Sequence, residues 1–411
     1  MNLELFIARR LLKGGKVGTV SVSIVKIAIV GIALGVCVML LSVFVITGFK
    51  KEITAKLSGF AAHLNITAYE NNNSYEGGYI VAGDTLLDDL RTIGGVKQIY
   101  PYVTKPAILK SATEIHGVIL RGVDVSYDAG FYEKHLIDGV YPNLKSEELS
   151  NEVLISSSVA GLLSVKLGDK LTAHFVQDPP RVRMFTVKGI YDTGFKEYDD
   201  LFVLCDMRHL QRLNAWTSDE VTGVGVELTD VERTAEAEWA IDRVLPLDED
   251  NNFYKVSTLR ETAPQVFDWL NLLNANVWII LILILIVAGF NMVSGLLILI
   301  LDKTSLIGVL KALGHKNRDL RKLFLYIAAG LIVRGMVIGN VLAFVLGGLQ
   351  YYFRIITLDP VTYYMDTVPI NFDWLYVILL NIGVLLVSVL MLIVPTMLIS
   401  KITPIKAIRF E

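Results

Sequence analysis

The sequence has few of the residues from which disulfide frameworks and metal sites are built. Only two of its 411 residues are cysteines, Cys37 in an apolar run and Cys205 in a region of mixed composition. We therefore predict two separate structural thiols without a disulfide framework. The sequence contains neither Cys-x-x-Cys nor His-Glu-x-x-His, and its six histidines show no metal-ligand spacing. We expect no metal site in this chain.

Patterns for nucleotide hydrolysis and nucleophilic catalysis are also missing. No stretch matches the phosphate-binding loop G-x-x-x-x-G-K-[ST], although residues 13–18 contain glycines and lysines. Three serines, Ser156 to Ser158, precede Gly161 without forming the nucleophile elbow G-x-S-x-G. We predict that these serines cap a helix starting near Val159. We expect no catalytic residue and no enzyme, and any ATP that the protein uses is expected on another polypeptide.

Charged residues are scarce, and long apolar runs take their place. Asp, Glu, Lys and Arg make up 19% of the residues and hydrophobic residues 53%, whereas soluble domains have about 25% charged and about 45–50% apolar residues. The net charge of −3 gives no indication of a basic surface for nucleic acid. Because the apolar excess is concentrated in a few runs, we predict an integral membrane protein of the α-helical class.

Four of these runs are long enough to cross the hydrocarbon core of a membrane, which takes about 20 helical residues. We predict transmembrane helices at residues 20–48, 277–301, 323–349 and 375–399. The first run follows a basic segment, as a signal peptide does. However, it is too long for a signal-peptide core and lacks a small-x-small cleavage pattern, so we expect a retained anchor.

The third predicted span has two unusual features. Small residues recur at every fourth position, at Gly335, Gly339, Ala343 and Gly347. Such a stripe lets helices approach closely in lipid, so we predict a packing face. Arg334 lies near the middle of the span, where an arginine costs about 2.5–3.5 kcal/mol. We expect it either to contact a polar cavity or an acidic partner, or to face the bundle, where backbone carbonyls, Asn291 or Asn340 would satisfy it.

Positive charges indicate which ends of the spans are cytoplasmic. Lysine and arginine are concentrated in residues 1–19, 302–322 and 400–411, whereas the loop at residues 350–374 has one arginine and three aspartates. We therefore predict that both termini are cytoplasmic. We also predict an amphipathic helix on the inner membrane face in residues 1–19 and an extracytoplasmic loop at residues 350–374.

Residues 49–276 are predicted to form one large extracytoplasmic α+β domain, inserted between the first two transmembrane helices. Its outer halves, residues 61–117 and 218–265, each combine strand and helix patterns. Asp84, for example, is predicted to be the N-cap of a helix. Short segments separated by Gly, Pro and Asp dominate residues 118–217, so we predict a β-rich insertion there.

Three parts of the sequence resemble a known permease family. They are residues 42–52 (SVFVITGFKKE) with 57–64 (LSGFAAHL), residues 291–294 (NMVS) with 303–314 (KTSLIGVLKALG), and residues 404–411 (PIKAIRFE). Together they are similar to the LolC/LolE permeases of lipoprotein-releasing ABC transporters. The second part by itself is typical of the broader group of MacB/FtsX-like permeases.

The resemblance implies a permease subunit in the bacterial inner (cytoplasmic) membrane with a periplasmic domain. Such a subunit extracts lipoproteins from the outer leaflet and passes them to a LolA-like periplasmic chaperone. It binds no cofactor, because ATP and Mg²⁺ belong to a separate LolD-like ATPase. The other implied partners are membrane lipid and a second permease, and this second permease is either another copy or a paralogue. Two other functions stay open, an FtsX-like permease that regulates a periplasmic cell-wall hydrolase and a MacB-like efflux permease.

The cytoplasmic loop at residues 302–322 has the pattern of a short amphipathic helix. Leu306, Leu310 and Leu313 share one predicted apolar face, and Lys303 and Lys311 lie off it. Such a helix packs on the membrane surface or inserts into a partner. In the family it is the coupling helix that contacts the ATPase. The resemblance gives this role to Lys303, Thr304, Leu306, Ile307, Leu310, Lys311, Leu313 and Gly314.

The resemblance implies two further sites. Family members hold acyl chains between their first two transmembrane helices, and the matching residues here are Met39, Val43, Phe44, Ile46, Phe49, Phe267, Leu270, Leu273 and Val277. For each of these residues, ordinary lipid or core packing is the alternative. The chaperone-recruiting loop of LolC matches a short segment here, at Pro179, Pro180, Arg181 and Arg183. A plain hairpin connection is the alternative for that segment.

Overall fold

The structure is a computed structural model, and it describes residues 6–7, 19–69, 75–145, 148–245, 254–397 and 399. Most of the amphipathic helix predicted for residues 1–19 lies outside the described residues. So does the whole tail at residues 400–411, with the third family-like segment.

The described chain divides into two compact units. The helical unit consists of Met1–Lys51, Trp269–Thr357 and Thr367–Glu411. The sheet unit consists of Glu52–Asp268 and Leu358–Asp366. The predicted extracytoplasmic domain thus corresponds to the sheet unit, except that this unit also includes a segment from the loop between the third and fourth transmembrane helices. Sequence reasoning missed that segment, because its contacts with the domain are distant in sequence.

The helices and strands are numbered separately in chain order. The helices are α1 (Thr19–Phe60), α2 (Asp84–Arg91), α3 (Gly130–Lys134), α4 (Ser157–Leu163), α5 (Lys196–Asp199), α6 (Met207–Asn214), α7 (Thr234–Val244), α8 (Leu259–Thr262), α9 (Pro264–Asp302), α10 (Thr304–Ala312), α11 (Asn317–Phe353), α12 (Pro360–Tyr363), α13 (Trp374–Met391) and α14 (Ile393–Thr396). The strands are β1 (Leu64–Ala68), β2 (Ile80–Val81), β3 (Val96–Lys110), β4 (Ile115–Val123), β5 (Leu136–Gly139), β6 (Glu152–Ser156), β7 (Lys170–Phe175), β8 (Arg181–Tyr191), β9 (Phe202–Asp206), β10 (Glu220–Val221), β11 (Gly223–Leu228) and β12 (Tyr254–Thr258).

Four helical segments in the described residues are long and apolar enough to cross a membrane, namely α1, α9, α11 and α13 continued by α14. Three of these helices are longer than the predicted spans, including α11, which covers Asn317–Phe353 instead of residues 323–349. Helix α1 continues to Phe60 instead of ending at residue 48, and α9 begins at Pro264 instead of residue 277. The helices are longer than the predicted spans because an apolar run ends where charges begin, whereas the helix continues as an amphipathic one. Ile53, Leu57 and Phe60 are buried at helical spacing in the extension of α1.

The stripe of small residues on α11 is a packing face against α1, as predicted. A Cβ added at Gly339 would lie 2.6 Å from the carbonyl oxygen of Ala33. A Cβ added at Gly335 would lie 2.8 Å from Cβ of Ile32. Because Gly335 and Gly339 have no side chains, the backbones of α11 and α1 can approach this closely.

Arg334 lies on the exposed side of α11, next to Val333 and in line with Val337. The bundle-facing alternative was therefore wrong. Asn340 instead exchanges hydrogen bonds with Asn381 of α13, with distances of 2.8 and 3.0 Å between side-chain N and O atoms. The reason is geometric: at about 3.6 residues per turn, positions 334 and 340 lie on different sides of the helix.

Ten strands of the described residues form one sheet, in the order β12-β1-β11-β3-β4-β9-β6-β8-β5, with β7 pairing with β3 and β8. Pairs are antiparallel except for β4 with β9 and β6 with β8. Strand β3 has 15 residues, and it pairs with β11 near its start and with β7 near its end. The predicted outer halves and β-rich insertion are therefore parts of one continuous sheet, because β3 of the first outer half pairs both with β11 of the second and with β7 of the insertion.

The sheet is covered by helices that each contribute an apolar side. Leu86 and Leu90 of α2 and Ala237 and Ile241 of α7 belong to the same buried cluster as the strand residues. This confirms the strand-and-helix patterns predicted for the two ends of the domain.

Two helix starts test the capping predictions. The hydroxyl of Ser156 accepts a hydrogen bond from the N–H of Val159 at 3.0 Å, so a serine caps α4 as predicted. The prediction for Asp84 was wrong by one residue, because Gly83 occupies the N-cap and Asp84 is the first helical residue. A carboxylate in the first turn is favoured by the helix dipole, so the same sequence signal fits both positions.

Two glycines of β4 differ in their surroundings and provide a test of the packing. A Cβ at Gly122 would lie 2.6 Å from Cα of Met207, whereas a Cβ at Gly117 would have no atom within 4 Å. We predict that Gly122→Ala lowers the free energy of unfolding by about 1–3 kcal/mol, because the backbone of α6 must shift. Gly117→Ala, the matched control, should change it by no more than about 0.5 kcal/mol. Denaturant titration of the full-length protein in detergent measures both, and equal losses would contradict this packing.

Candidate functional site

The end of α1 is enclosed by aromatic side chains of the sheet unit. Phe60, the last residue of the helix, is buried. Its ring centroid lies between 5.1 and 6.5 Å from those of five rings, which we call the aromatic enclosure: Phe131, Tyr132, Tyr191, Tyr198 and Phe202. Gly59 permits this approach, because a Cβ there would lie 2.3 Å from the ring of Phe131. The helix that contains the first apolar span therefore ends inside the sheet unit.

A buried arginine closes the C-terminal end of α1. Arg121 of β4 donates a hydrogen bond from Nη1 to the carbonyl oxygen of Phe60. Its guanidinium carbon also lies 4.5 Å from the ring centroid of Tyr102. A cation is favoured there because the last carbonyls form the negative end of the helix dipole and the ring face attracts positive charge. Sequence reasoning missed Arg121, although an arginine in a strand with a buried apolar run was a usable signal.

His63 links the strand that follows α1 to its neighbours. Its Nδ1 accepts a hydrogen bond from the N–H of Leu228 at 3.0 Å, and its carbonyl oxygen accepts one from Leu259 at 2.9 Å. Burial, together with the charge of Lys97, lowers the pKa of His63, which favours the neutral ring that this bond requires. The family-like segment at residues 57–64 thus consists largely of residues that hold α1 in the sheet unit.

The segment predicted to couple to an ATPase forms the helix α10. Gly314 follows it with a φ of +91°, and the N–H of His315 reaches the carbonyl of Leu310 at 3.1 Å. A left-handed glycine with this bond is a common way to end a helix. Lys303 forms an ion pair with Asp302 at 2.8 Å. The hydroxyl of Thr304 donates to the carbonyl of Leu301 at 2.6 Å, so the start of α10 is fixed to the end of α9.

The apolar residues of α10 differ in burial. Ile307 is fully buried in the core of the helical unit, whereas Leu313 is 73% exposed and Val309 47% exposed. Leu310 is only partly buried, and Lys311 donates from Nζ to the carbonyl of Ile399 at 2.8 Å. Apolar residues occur almost all around this helix, so their spacing did not specify which side packs on the bundle.

The residues predicted to line an acyl-chain cavity differ in burial. Met39, Val43, Phe44, Phe49 and Leu270 are buried, and Ile46, Phe267, Leu273 and Val277 are half-buried. Phe44 packs against the rings of Phe344 and Phe372, with centroid distances of 5.5 and 5.0 Å. Met39 and Phe44 therefore hold the bundle together in this conformation and do not line an open surface.

Other apolar residues of the first two spans are more exposed than those predicted. They include Leu34 and Val38 on α1 and Ile279 and Leu283 on α9. Sequence reasoning did not separate them from their neighbours, because every residue in an uninterrupted apolar run has the same local signature.

The segment predicted to contact a chaperone is the turn between β7 and β8. We call residues 176–184 the hairpin tip. Its exposed residues include Val176, Pro179, Pro180, Arg181, Val182 and Met184, and Arg183 is half-buried. The plain hairpin geometry that the sequence left open is therefore present. Exposed apolar and cationic side chains lie next to each other on it, so it can contact a partner that is both apolar and acidic.

A metal site would need a cluster of ligating side chains. Within the described ranges, no group of three or more His, Cys, Asp or Glu side chains could hold a metal ion. Cys37 and Cys205 are free and buried, as predicted for structural thiols. Burial raises the pKa of Cys205 far above its usual range, so this thiol is unreactive.

Two family models match successive parts of the chain. Residues 27–244 match the model of the MacB-like periplasmic core domain, and residues 278–404 match the model of the FtsX-like permease C-terminal region. The chain is 28% identical to the lipoprotein-releasing system transmembrane protein LolC of Neisseria meningitidis serogroup B, over 100% of both chains. It is 26% identical to LolC of Xylella fastidiosa strain 9a5c, over 93% of each chain. It is 23% identical to LolE of Haemophilus influenzae, over 98% of each chain.

Proposed function

Because the chain belongs to the LolC/LolE family of permeases, we propose that it releases lipoproteins from the outer leaflet of the bacterial inner membrane as part of an ABC transporter. It acts as a non-catalytic subunit, and a separate ATPase binds ATP and Mg²⁺. A second permease completes the membrane part, and a periplasmic chaperone receives the lipoprotein. The FtsX-like and MacB-like alternatives are weaker, because the relatives matched over nearly their full length carry the lipoprotein-releasing name.

The observation that carries this proposal is the unbroken helix α1. It runs from the apolar span to Phe60 without a hinge and ends in the aromatic enclosure, where Arg121 binds its last carbonyl. A stiff helix with a clamped end transmits displacement instead of absorbing it. Movement produced at the cytoplasmic side by an ATPase would therefore reach the sheet unit, which is what a permease without its own motor requires.

The exposed side of α10 supports docking to that ATPase. Ile307 anchors the helix to the bundle, and Val309 and Leu313 are exposed apolar side chains on another side of the helix. Apolar anchors that enter a partner's groove dominate the affinity of helix-in-groove contacts. Membrane-surface packing, the other explanation, is an outcome of the test below.

We predict that Leu313→Asp and Val309→Asp each reduce the amount of ATPase subunit that copurifies with the permease about tenfold. A charge placed in an apolar groove loses at least about 1.4 kcal/mol of binding free energy, which is a factor of ten in affinity. Ser305→Asp, an exposed position on the same helix, is the matched control and should retain the ATPase. Detergent pull-down with quantitative proteomics measures all three. Undiminished ATPase in both variants would favour membrane-surface packing, and recovery of a cell-wall hydrolase in place of lipoprotein chaperone would favour the FtsX-like function.

Acyl chains of the lipoprotein require an apolar surface that is accessible from the membrane, because each buried CH₂ contributes about 0.8 kcal/mol. Ile46, near the outer end of the predicted first span, and Val277 on α9 are the half-buried candidates. We propose that these positions contact the acyl chains, together with the half-buried Leu273 of the same helix. The buried residues among those predicted to line the cavity hold the helices together instead; they are Met39, Val43, Phe44, Phe49 and Leu270.

Polar substitution at these positions should affect release more than assembly. We predict that Ile46→Asn and Val277→Asn reduce lipoprotein release from proteoliposomes about tenfold while the complex still purifies intact. The matched control is Leu379→Asn, an exposed apolar residue near the outer end of α13. The assay follows transfer of a palmitate-labelled lipoprotein to added chaperone. If the control variant loses as much activity as the other two, the effect comes from general disturbance of the membrane helices.

The hairpin tip supports chaperone recruitment through its two arginines. We predict that the double substitution Arg181→Glu with Arg183→Glu weakens binding of the purified chaperone about tenfold, because it replaces attraction to an acidic partner by repulsion. The wild-type affinity should also fall as salt is raised from about 0.05 to about 0.5 M, since exposed charges are screened over about 10 Å or less. The control is Arg212→Glu with Arg243→Glu, two exposed arginines outside the tip. Equal binding by both double variants would remove the hairpin tip from the chaperone interface.

A further inference from the structure

The two ends of the loop between α11 and α13 lie close together in the helical unit, beside Gln350. Gln350, which is buried, holds both sides: its Oε1 accepts from the N–H of Ile356 at 2.9 Å, and its Nε2 donates to the carbonyl of Val368 at 3.2 Å. The residues next to this clamp pair as an antiparallel bridge. We call the segment between them, Leu358–Asp366, the strap.

The strap has a folded conformation of its own. The N–H of Leu358 donates to the carbonyl of Asp366 at 2.8 Å, so its two ends are closed. The short helix α12 lies between them, and the hydroxyl of Thr362 donates to the carboxylate of Asp359 at 2.7 Å. Met365 is only 4% exposed. A segment with closed ends and internal hydrogen bonds can transmit force, unlike an open loop.

The strap, which belongs to the sheet unit, contacts two other parts of that unit. The ring of Tyr364 lies 4.6 Å from that of Phe195, a buried residue between β8 and α5. The carbonyl oxygen of Tyr364 accepts a hydrogen bond from Nζ of Lys56 at 3.1 Å. Lys56 lies one helical turn before Phe60, so the strap contacts α1 close to its enclosed end.

The head of Lys56 occupies a site that fits an ammonium group. The residue is buried, which disfavours its charged form, and the carboxylates of Glu52, Asp366, Asp199 and Asp192 offset part of that cost. Gly194 lies beside it with a φ of +68°, and a Cβ there would approach Nζ to 3.3 Å. A buried ammonium is costly unless opposite charge and hydrogen bonds surround it, and an apolar side chain would fill the space without that cost. A lysine is useful here because its ammonium group can donate a directional hydrogen bond. The acceptor is the carbonyl oxygen of Tyr364 in the strap.

We propose that Lys56 is a positioning residue that ties the strap to α1, so that the third and fourth transmembrane helices move the sheet unit together with the first. This inference rests on the proposed function, because it concerns how movement of the membrane helices reaches the sheet unit. Without the tie, ATP hydrolysis in the partner subunit would continue, but part of the movement would be lost and lipoprotein release would fall.

The attachment itself can be tested without transport. A Cβ at Gly194 would lie 4.0 Å from Oδ2 of Asp366 in the strap, so the pair Gly194→Cys with Asp366→Cys should form a disulfide on mild oxidation. Both natural cysteines are buried and contribute little background. In the assembled complex with its ATPase, we expect a high yield with Lys56 present and a several-fold slower reaction with Lys56→Met. Lys51→Met, an exposed lysine on the same helix, is the matched control and should leave the rate unchanged.

The functional test asks whether a covalent tie replaces the lysine. We expect Lys56→Met to reduce release of a palmitate-labelled lipoprotein about tenfold, with ATP hydrolysis changed less than about twofold. Oxidising the cysteine pair in the Lys56→Met background should restore at least half of the release, and reduction should remove it again. The two single-cysteine variants control for strain at Gly194 and for loss of the Asp366 carboxylate.

The outcomes separate this inference from the proposed function. Failure of the disulfide to form with Lys56 present, normal release by Lys56→Met, or no rescue by the oxidised pair would each overturn the role of Lys56. In the last case, the residue would only support local packing of α1. If the wild-type complex itself releases no lipoprotein, the proposed function is wrong, while the disulfide yields still report whether Lys56 holds the strap.

Discussion

The last carbonyl groups of α1 must find hydrogen-bond donors where the helix ends away from water, and the rest of the sheet unit is organised around that requirement. Arg121 supplies a donor to the carbonyl of Phe60 from the middle of the sheet. A guanidinium tolerates this position because aromatic rings surround it, and burial keeps Tyr100 beside it neutral by raising its pKa to about 12. Once the helix end is held there, His63 and β1 are placed directly against β11 and β12.

Three chain segments connect the membrane helices to the sheet unit, and they differ in kind. Helix α1 enters without interruption, and α9 begins at Pro264 inside the sheet unit and continues into the second span. The strap is a folded loop. Gln350 holds the residues that flank it, and Tyr364 within it contacts Lys56 and Phe195.

Burial separates the residues that hold the structure together from those that can act on a partner. In α10, Ile307 is fully buried, while Leu313 on the same helix is exposed. In α1, Phe44 packs among rings, while Leu34 and Val38 remain accessible. The same division applies at the edge of the hairpin tip, where Met184 is exposed and Phe185, the residue after the tip, is buried. Because apolar residue types occur in both classes, only their exposure indicates which of them can bind an acyl chain or another subunit.

Local patterns were sufficient to predict the four apolar helices, the packing stripe on α11, the capping serine of α4 and the extent of α10, because each depends on residues close together in sequence. The family-like segments likewise indicated the family. Tertiary structure alone decided the length of α1, the buried side of α10, the outward position of Arg334 and the role of Arg121, since each depends on contacts between residues far apart along the chain. The strap is the clearest case: nothing near Tyr364 in sequence indicates a partner at Lys56, and only the folded chain brings a carbonyl and an ammonium group within hydrogen-bond distance.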